Sequence, residues 1–510
     1  MMEAELKLLV TSHDAEALRQ HPLLKKYATS KPHEQKMSDT YFDTPDLQIR
    51  RCDAGLRVRR VDNNDWVQTL KSGVDGATHG RHEWESRVAG PAPELPVLRH
   101  VVEHKSTWGR LLRSPLVENR LMPIFSTQVK RIAWELRLPQ GDEVECALEQ
   151  GNLECNGKKL PISEIELELK SGNPAHLFDF ALALQQDIPM QIGILSKADR
   201  GYALFVPRTP AAVKATPVTL SKRMTIEQVF QAIALNCMAQ IQANEGGVAH
   251  ARDMESLHQM RVGLRRLRCA LDLFQNMLQA PHELRQEIDW LTTQLGAARD
   301  WDVLASSTLP TVAAAAPAEA RLAELKEAAQ AQARDQHEAA AAAVKSSRYT
   351  RLMLCLTRWV HGYGWHVTMS PQEQTRLTAQ VAKFARTMLM HHQRRLLKRG
   401  GQLQGASPEV RHRIRIAAKK IRYATEFFQS LYAAKRVLPY VTALSFLQDE
   451  LGWLNDAATA DRLLKQLQDD QTHLNGSAGF ARGYLVSCVN NDDKKMRKLW
   501  AQFAPMKLPR

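Results

Sequence analysis

The sequence has no CxxC pair, no long apolar run and few aromatic residues, which fill 6% of 510 positions. Each shortage excludes something. The seven cysteines, Cys52, Cys146, Cys155, Cys237, Cys269, Cys355 and Cys488, are scattered singly. They argue against a disulfide framework or a zinc ribbon and fit the thiols of a reducing cytosol. A membrane span needs about 20 consecutive apolar residues, and no uninterrupted stretch approaches that. The first residues, MMEAELKLLV, carry acids where a secretory signal needs bases. The expectation is a cytoplasmic protein with no membrane partner. Apolar residues still make up 44% of the chain, so wholesale disorder is excluded, and the length calls for two or three domains.

What is present is charge, unevenly spread. Residues 1–205 hold 27 Lys+Arg and 29 Asp+Glu, a net of −2; residues 206–510 hold 42 and 26, a net of +16, which together give the overall +14. The basic part predicts a polyanionic partner: nucleic acid, phosphorylated lipid or a phosphate polymer.

The first region alternates with period two between turn signals, which predicts strands near 3–10, 55–60, 65–71, 82–88, 131–138, 143–150 and 162–169. Short helices are expected at 16–19 and 175–186. A proline-bearing segment without periodicity, VPRTPAAVKATPVTLSK, reads as a linker. Beyond it helices are expected at 226–244, 254–278, 282–295, 318–344, 349–360, 372–398, 409–431, 437–454 and 457–468, with a last one after Gly479. An internal repeat divides them. His258, Arg261, Arg265, Arg266, Leu267 and Arg268 recur 154 residues later as His412, Arg415, Lys419, Lys420, Ile421 and Arg422, and Phe274 recurs as Phe428. Leu295, Gly296 and Asp300 recur at an offset of 156 as Leu451, Gly452 and Asp456. Two related helical bundles follow.

Strands of the first region carry charge on a shared face. Glu3, Glu5 and Lys7 form E-x-E-x-K, with Leu6 and Leu8 on the other register. Positions i and i+2 share a face about 7 Å apart, so two carboxylates and an ammonium point one way. Arg57 with Arg59, Thr69 with Lys71, Arg81 with Glu83 and Glu85, Glu145 with Glu149, and Glu164, Glu166, Glu168 with Lys170 repeat the device. A barrel whose interior carries both signs explains the set better than six solvated faces. Its bases would hold a polyphosphate and its acids a divalent metal. Phosphoryl transfer needs that combination, because it is largely positioning and charge neutralisation. Mg²⁺ or Mn²⁺ takes hard carboxylate oxygens, and Lys and Arg take the remaining phosphate oxygens.

The ordered set E-x-E-x-K, Tyr41-Phe42-Asp43-Thr44, GLRVRR, TLK, R-x-E-x-E, E-x-A-x-E-x-G, EIELELKSG and Ser196-Lys197-Ala198-Asp199-Arg200-Gly201-Tyr202 resembles the CYTH family of triphosphate tunnel metalloenzymes over residues 1–205. The resemblance implies an eight-stranded antiparallel tunnel that hydrolyses a linear triphosphate with Mg²⁺ or Mn²⁺. It implies Glu3, Glu5, Glu166 and Glu168 as metal ligands, helped by Glu83 and Glu85. Lys7, Arg57, Arg59, Lys71, Arg81, Arg131 and Lys197 would hold phosphates, and Glu3, Glu5, Lys7, Arg57, Arg59 and Lys71 form the catalytic set. Ala133 stands where some relatives carry a second base. Members act on inorganic triphosphate, thiamine triphosphate, RNA 5′-triphosphates, or ATP as cyclases. No base-recognition pocket is evident, and the second domain is typical of the inorganic triphosphatase branch.

In the helical region His258, Arg261, Arg265 and Arg268 fall on one stripe at about 100° per residue. His412, Arg415, Lys419 and Arg422 repeat it, and Leu257, Met260, Leu264, Leu267 and Leu271 mark the core face. No ligand stands at the i+4 spacing of a metal pair beside either histidine. Few aromatics interleave the bases, which disfavours single-stranded nucleic acid. The repeats resemble the CHAD domain, a helical module of two four-helix bundles. That resemblance implies that the two stripes bind long-chain polyphosphate in a basic groove, which Arg394 and Arg395 would extend.

The expected architecture is therefore α+β with two domains. An antiparallel eight-stranded β tunnel occupies 1–205, a linker 206–221, and an all-α pair of four-helix bundles 222–505, with repeats at about 222–345 and 346–505. The expected function is metal-dependent hydrolysis of inorganic triphosphate beside a polyphosphate-binding module, in the cytoplasm or at polyphosphate granules. The rivals are a non-catalytic polyphosphate binder and a thiamine-triphosphatase or adenylate cyclase of the same tunnel fold.

Overall fold

The computed structural model describes residues 4–61, 65–72, 82–207, 211–317, 320–403, 406–491 and 493–509. The chain divides near residue 209 into two compact units.

The first unit is built on one antiparallel sheet. Its strands are β1 (Ala4–Leu9), β2 (His33–Asp43), β3 (Ala54–Val61), β4 (Asp65–Ser72), β5 (Glu83–Val88), β6 (Met122–Arg137), β7 (Glu143–Cys155), β8 (Lys158–Ser171) and β9 (Gln191–Ile192). The order is β5-β4-β3-β2-β6-β7-β8-β1-β9. Eight strands were expected; the ninth is the two-residue β9, which pairs with Leu8 and Leu9 of β1. Among the described residues no ladder joins β5 to β9.

Period-two alternation decides which face is which. Leu6 and Leu8 of β1, Cys146 and Leu148 of β7, and Ile165 and Leu167 of β8 are buried in one cluster with Leu177, Phe178 and Phe180 of the helix Pro174–Leu184. Leu56 and Val58 of β3 and Leu70 of β4 are buried in another with Leu95, Leu98 and Val117, from short helices between β5 and β6. Burying apolar area at roughly 25 cal/mol per Å² fixes these faces outward, beneath the helices. The charged residues between them must then point to the other face.

The second unit is helical. Helices Ile226–Ala243, Met254–Leu273, His282–Val303 and Leu322–Lys345 form the first repeat. Val381–Gly400, Pro408–Phe428, Ala434–Asp470 and Asn475–Asn491 form the second. Met254 and Pro408, which open the stripe helices, are 154 residues apart, the offset of the motif itself. The expected helix over 372–398 is broken, because Val381 N donates to Met224 O at 3.1 Å and Ile226 N to Ala379 O at 3.0 Å, tying the starts of the two repeats together. The expected break between 454 and 457 is absent: Ala434–Asp470 runs through it, and carries Pro439 near its start. Phe230, Phe274, Phe384 and Phe428 meet between the repeats, with Phe274 and Phe384 centroids 4.9 Å apart and Phe274 and Phe428 6.4 Å apart. The repeated Phe274 and Phe428 thus close the unit's centre against each other.

Candidate functional site

The sheet register lines up the charged positions in rows. Glu5 of β1, Glu168 of β8 and Glu145 of β7 lie side by side. Next come Lys7, Glu166, Ala147 and Ala133, and then Glu164, Glu149 and Arg131. Ala147 and Ala133 place two methyl groups beside Glu166 where longer side chains would fill the interior. These rows and their counterparts on β3 and β4 enclose a cavity of about 320 Å³. Of the sequence-predicted residues, Glu5, Lys7, Arg57, Arg59, Lys71, Glu83, Arg131, Glu166, Glu168 and Lys197 line it. Glu85 does not; it accepts a hydrogen bond from Thr69 at 2.9 Å and stands 4.0 Å from Arg57. Glu3 and Arg81 lie outside the described residues.

One wall is acidic. Carboxylate oxygens of Glu149, Glu164 and Glu166 lie within 4.8 Å of one another. Three negative charges at that spacing require cations. Lys197 Nζ stands 2.6 Å from Glu164 and 3.0 Å from Glu166, and also pairs with Glu149. Lys7 Nζ is 3.0 Å from Glu166 and 3.6 Å from Glu164. Arg131 bridges Glu145 and Glu149, and Arg200 pairs with Glu164. Burial alone would push the Glu164 and Glu166 carboxyls up, but Lys197 and Lys7 outweigh it and hold both below the usual carboxylate range. Burial pulls Lys197 down, and Glu149, Glu166 and Glu164 more than reverse this.

The opposite wall is basic, with an acid holding it in place. Asp39, 2% exposed, accepts from Arg59 Nε at 2.7 Å and Nη2 at 2.8 Å, and lies 3.7 Å from Arg57. Burial raises the Asp39 carboxyl, and its hydrogen bonds from Arg59 bring it below the ordinary value. Lys71 donates to Glu83 at 2.9 Å, and Arg57 stands 3.5 Å from the same carboxylate.

In the helical unit, the stripe helices Met254–Leu273 and Pro408–Phe428 pack on each other. Five of the eight predicted stripe residues converge. Arg265 and its repeat equivalent Lys419 face each other: burial, then Arg265 and Arg415, pushes the Lys419 ammonium down to about 7. Burial, then Arg299 and Arg265, holds His258 down to about 4, so it is a neutral imidazole near pH 7. Arg265 and Arg415 bury their Nε atoms with no hydrogen-bond partner among the described residues. Arg261 Nη1 donates to Leu295 O at 2.9 Å, an approach that Gly296 permits because a Cβ there would lie 3.2 Å from that nitrogen. Of the other three, Arg268 and His412 stand apart, while Arg422 borders the group and adds to the repulsion on Lys419. Arg268 pairs with Asp289 at 3.1 Å, Arg422 lies 3.5 Å from Glu426, and His412 is exposed. Arg394 and Arg395 are also exposed.

Comparison with known proteins matches each unit to a domain family. Residues 1–202 match the CYTH domain and residues 232–465 the CHAD domain. The chain joins a CYTH domain to a CHAD domain. An inorganic triphosphatase from Haemophilus influenzae is 32% identical over 207 residues, which are 40% of this chain and 55% of that protein. The crystal structure of the CHAD domain from the plant Ricinus communis is 39% identical, covers 59% of this chain and 99% of that one, and has a TM-score of 0.54.

Within the CYTH domain, sequence reasoning assigned no individual site role to Asp39, Glu145, Glu149, Glu164 or Arg200, although strand alternation already places Glu145, Glu149 and Glu164 on the charged faces of the expected barrel. Those three glutamates were thus visible as interior acids. Asp39 was not, because β2 mixes polar and apolar residues without a clean period (HEQKMSDTYFD) and its burial comes from pairing with β3 and β6. Arg299, from the helix beside the stripes, was also missed in the CHAD domain. The carboxylate-only donor set of the acidic wall fits a hard divalent cation such as Mg²⁺ or Mn²⁺.

Proposed function

We infer that the CYTH domain hydrolyses inorganic triphosphate to diphosphate and phosphate with Mg²⁺ or Mn²⁺, and that the CHAD domain binds long-chain polyphosphate. The observation that carries the reading is the cavity with an acidic wall facing a basic one. Its bases come from both walls: Arg57, Arg59 and Lys71 on one, Lys7, Arg131 and Lys197 on the other. Glu5, Glu166 and Glu168, with Glu3 two positions before Glu5 in the sequence, would hold the metal, and Glu83 and Glu85 orient Lys71, Arg57 and Thr69. A bound divalent ion supplies charge neutralisation at phosphate oxygens and activation of the attacking water. The side chains then do the rest. Arg57 and Arg59, held by Asp39, fix the phosphate chain, and Lys7 and Lys71 neutralise charge that develops on the leaving diphosphate.

An inorganic rather than nucleoside substrate is supported by the lining. Tyr41 is the one aromatic there among the described residues; it is 6% exposed and one face of its ring is stacked on Phe125 at 4.4 Å, so the lining offers a base little aromatic surface. The Haemophilus relative carries the same activity in its name. In the CHAD domain, the cluster of Arg261, Arg265, Arg415 and Lys419 gives a flexible polyanion several charge-assisted contacts at once. No described helix is long and apolar enough to cross a membrane. The location we propose is the cytoplasm, at polyphosphate granules where these are present.

The test is phosphate release by the full chain from inorganic triphosphate, thiamine triphosphate and ATP, with Mg²⁺ or Mn²⁺. Inorganic triphosphate should be turned over fastest, and Glu5→Gln should bring turnover to background with an unchanged circular-dichroism melt. Near-normal turnover of Glu5→Gln at saturating metal would remove Glu5 from the metal site. Triphosphate binding without phosphate release would make the tunnel a binding device.

A further inference from the structure

Lys197 lies on the cavity wall, yet its ammonium is turned into the acidic side, among Glu149, Glu164 and Glu166. We propose that Lys197 and the divalent cation compete for this carboxylate triad, so that metal entry hands the Lys197 ammonium over to a phosphate of the substrate. The inference rests on the metal-dependent reading above and names which phosphate-binding residue responds to the metal.

Three observations carry it. The first is space and charge. Oxygens within 4.8 Å of one another surround one small volume, and Lys197 Nζ already stands 2.6 and 3.0 Å from two of the three carboxylates. A dication drawn to Glu166, which belongs both to this triad and to the expected metal ligands, meets that ammonium at contact distance. Like charges so close in a buried site repel strongly, and the lysine is the mobile partner.

The second is mechanical. Lys197 opens the helix Lys197–Phe205, whose backbone is held without its help. Ser196 and Asp199 form a reciprocal capping box, Arg50 pairs with Asp199 at 2.8 Å, and Tyr202 donates to Asp43 at 3.1 Å. Gly201 lies so close to Phe125 that a Cβ would fall 2.2 Å from the ring. The helix therefore stays seated while the four-carbon stem of Lys197 swings. Ser196 and Ala198 line the same cavity, so the displaced ammonium remains inside it.

The third is that Lys7 does not share this freedom. Its side-chain stem packs against Gly193, where a Cβ would fall 2.8 Å from Lys7 Cγ and 3.1 Å from Cδ. Its ammonium reaches Glu166 and Glu164, not Glu149. Lys7 is a fixed element of the wall, and Lys197 is the exchangeable one.

Two measurements on the full chain test the exchange, and neither reads hydrolysis. In the first, lysine acetylation of wild type is followed by mass spectrometry, after chelator treatment and then with Mn²⁺. Lys197 should become several-fold more reactive with Mn²⁺, while Lys159, exposed on the surface, should not change. In the second, Mn²⁺ is titrated calorimetrically into wild type, Lys197→Met and Lys197→Arg. Lys197→Met should bind Mn²⁺ about tenfold more tightly, since a competing cation is gone, and Lys197→Arg should return toward wild type. Unchanged or reduced Lys197 labelling with Mn²⁺, or equal or weaker Mn²⁺ binding by Lys197→Met, overturns the exchange. If either occurs while wild type still hydrolyses triphosphate, the exchange alone fails. If both expectations hold in a protein that releases no phosphate, the exchange stands and the hydrolytic reading falls.

Discussion

Replacing Glu164 with glutamine should destabilise the CYTH domain more than any other single charge removal on its surface or in its cavity rim. The Glu164 side chain is fully buried and serves three cations: Lys197 at 2.6 Å, Lys7 at 3.6 Å and Arg200. Removing one partner of a buried ion pair typically costs about 3–5 kcal/mol, because the remaining charges stay desolvated. Lys7 and Lys197 retain 12% and 14% exposure toward the cavity, so water can relax around them and the lower end, about 3 kcal/mol, applies. At about 2–4 °C per kcal/mol for a unit of this size, the CYTH transition should fall by about 6–12 °C. Glu85→Gln is the contrast. That side chain is 54% exposed and 4.0 Å from Arg57, so it should cost no more than about 1 kcal/mol. The pH dependence has a definite sign. The folded Glu164 carboxyl is held low, so its stabilisation is complete above the unfolded glutamate value. It is lost as pH falls through the folded one, and the gap between wild type and Glu164→Gln should close in acid. Differential scanning calorimetry of both variants in the full chain reads this directly. A Glu164→Gln melt within 2 °C of wild type at neutral pH would refute the view that Glu164 anchors Lys7, Lys197 and Arg200 in the acidic wall.

Two further predictions concern the CHAD domain. Replacing Arg261, Arg265, Arg415 and Lys419 with Ala should weaken polyphosphate binding and flatten its log–log salt dependence by roughly 3 to 4, one counterion per lost contact; duplex DNA should compete poorly with polyphosphate for wild type, and a titration in which DNA wins would reassign the partner. Because Lys419 in the fold is pushed down to about 7, polyphosphate should bind more weakly as pH rises from 6 to 8.5 and should take up a proton near pH 8, whereas Lys419→Met should lose that pH step. The unliganded domain should behave oppositely, gaining stability from about pH 7 toward the unfolded lysine value, since the unfolded chain binds the extra proton there. Calorimetry in buffers of different ionisation enthalpy counts the protons, and a pH-independent affinity would contradict the buried charge.

Much of this was legible because two periods write themselves into sequence. Alternation at Glu3-Glu5-Lys7, Arg57-Arg59 and Glu164-Glu166-Glu168 marks which side chains share a strand face, and the 154-residue offset marks the helices that repeat. The pattern predicts two helices, 437–454 and 457–468, where the fold has one, Ala434–Asp470; Asn455 and Asp456, between the two, are residues that favour caps and turns. In the fold Asp456 instead faces Arg415 and Lys419, and packing overrides the local preference. The helix Lys197–Phe205 was not expected, although its capping box stands in the sequence, since nine residues carry little periodicity of their own.

By itself the sequence determined the two-part architecture, the sign of charge on each part and most side chains that meet in the cavity, since these follow from patterning along one strand or helix. Only the tertiary structure decided who neutralises whom. Asp39 on β2 clasps Arg59 on β3, and Glu149 and Glu164 on β7 and β8 gather Lys197 from a helix after the last strand. In the CHAD domain Arg265 and Lys419, 154 residues apart, press their charges on each other. Electrostatic partnership depends on distance and burial in space, and neither is encoded at any one position in the chain.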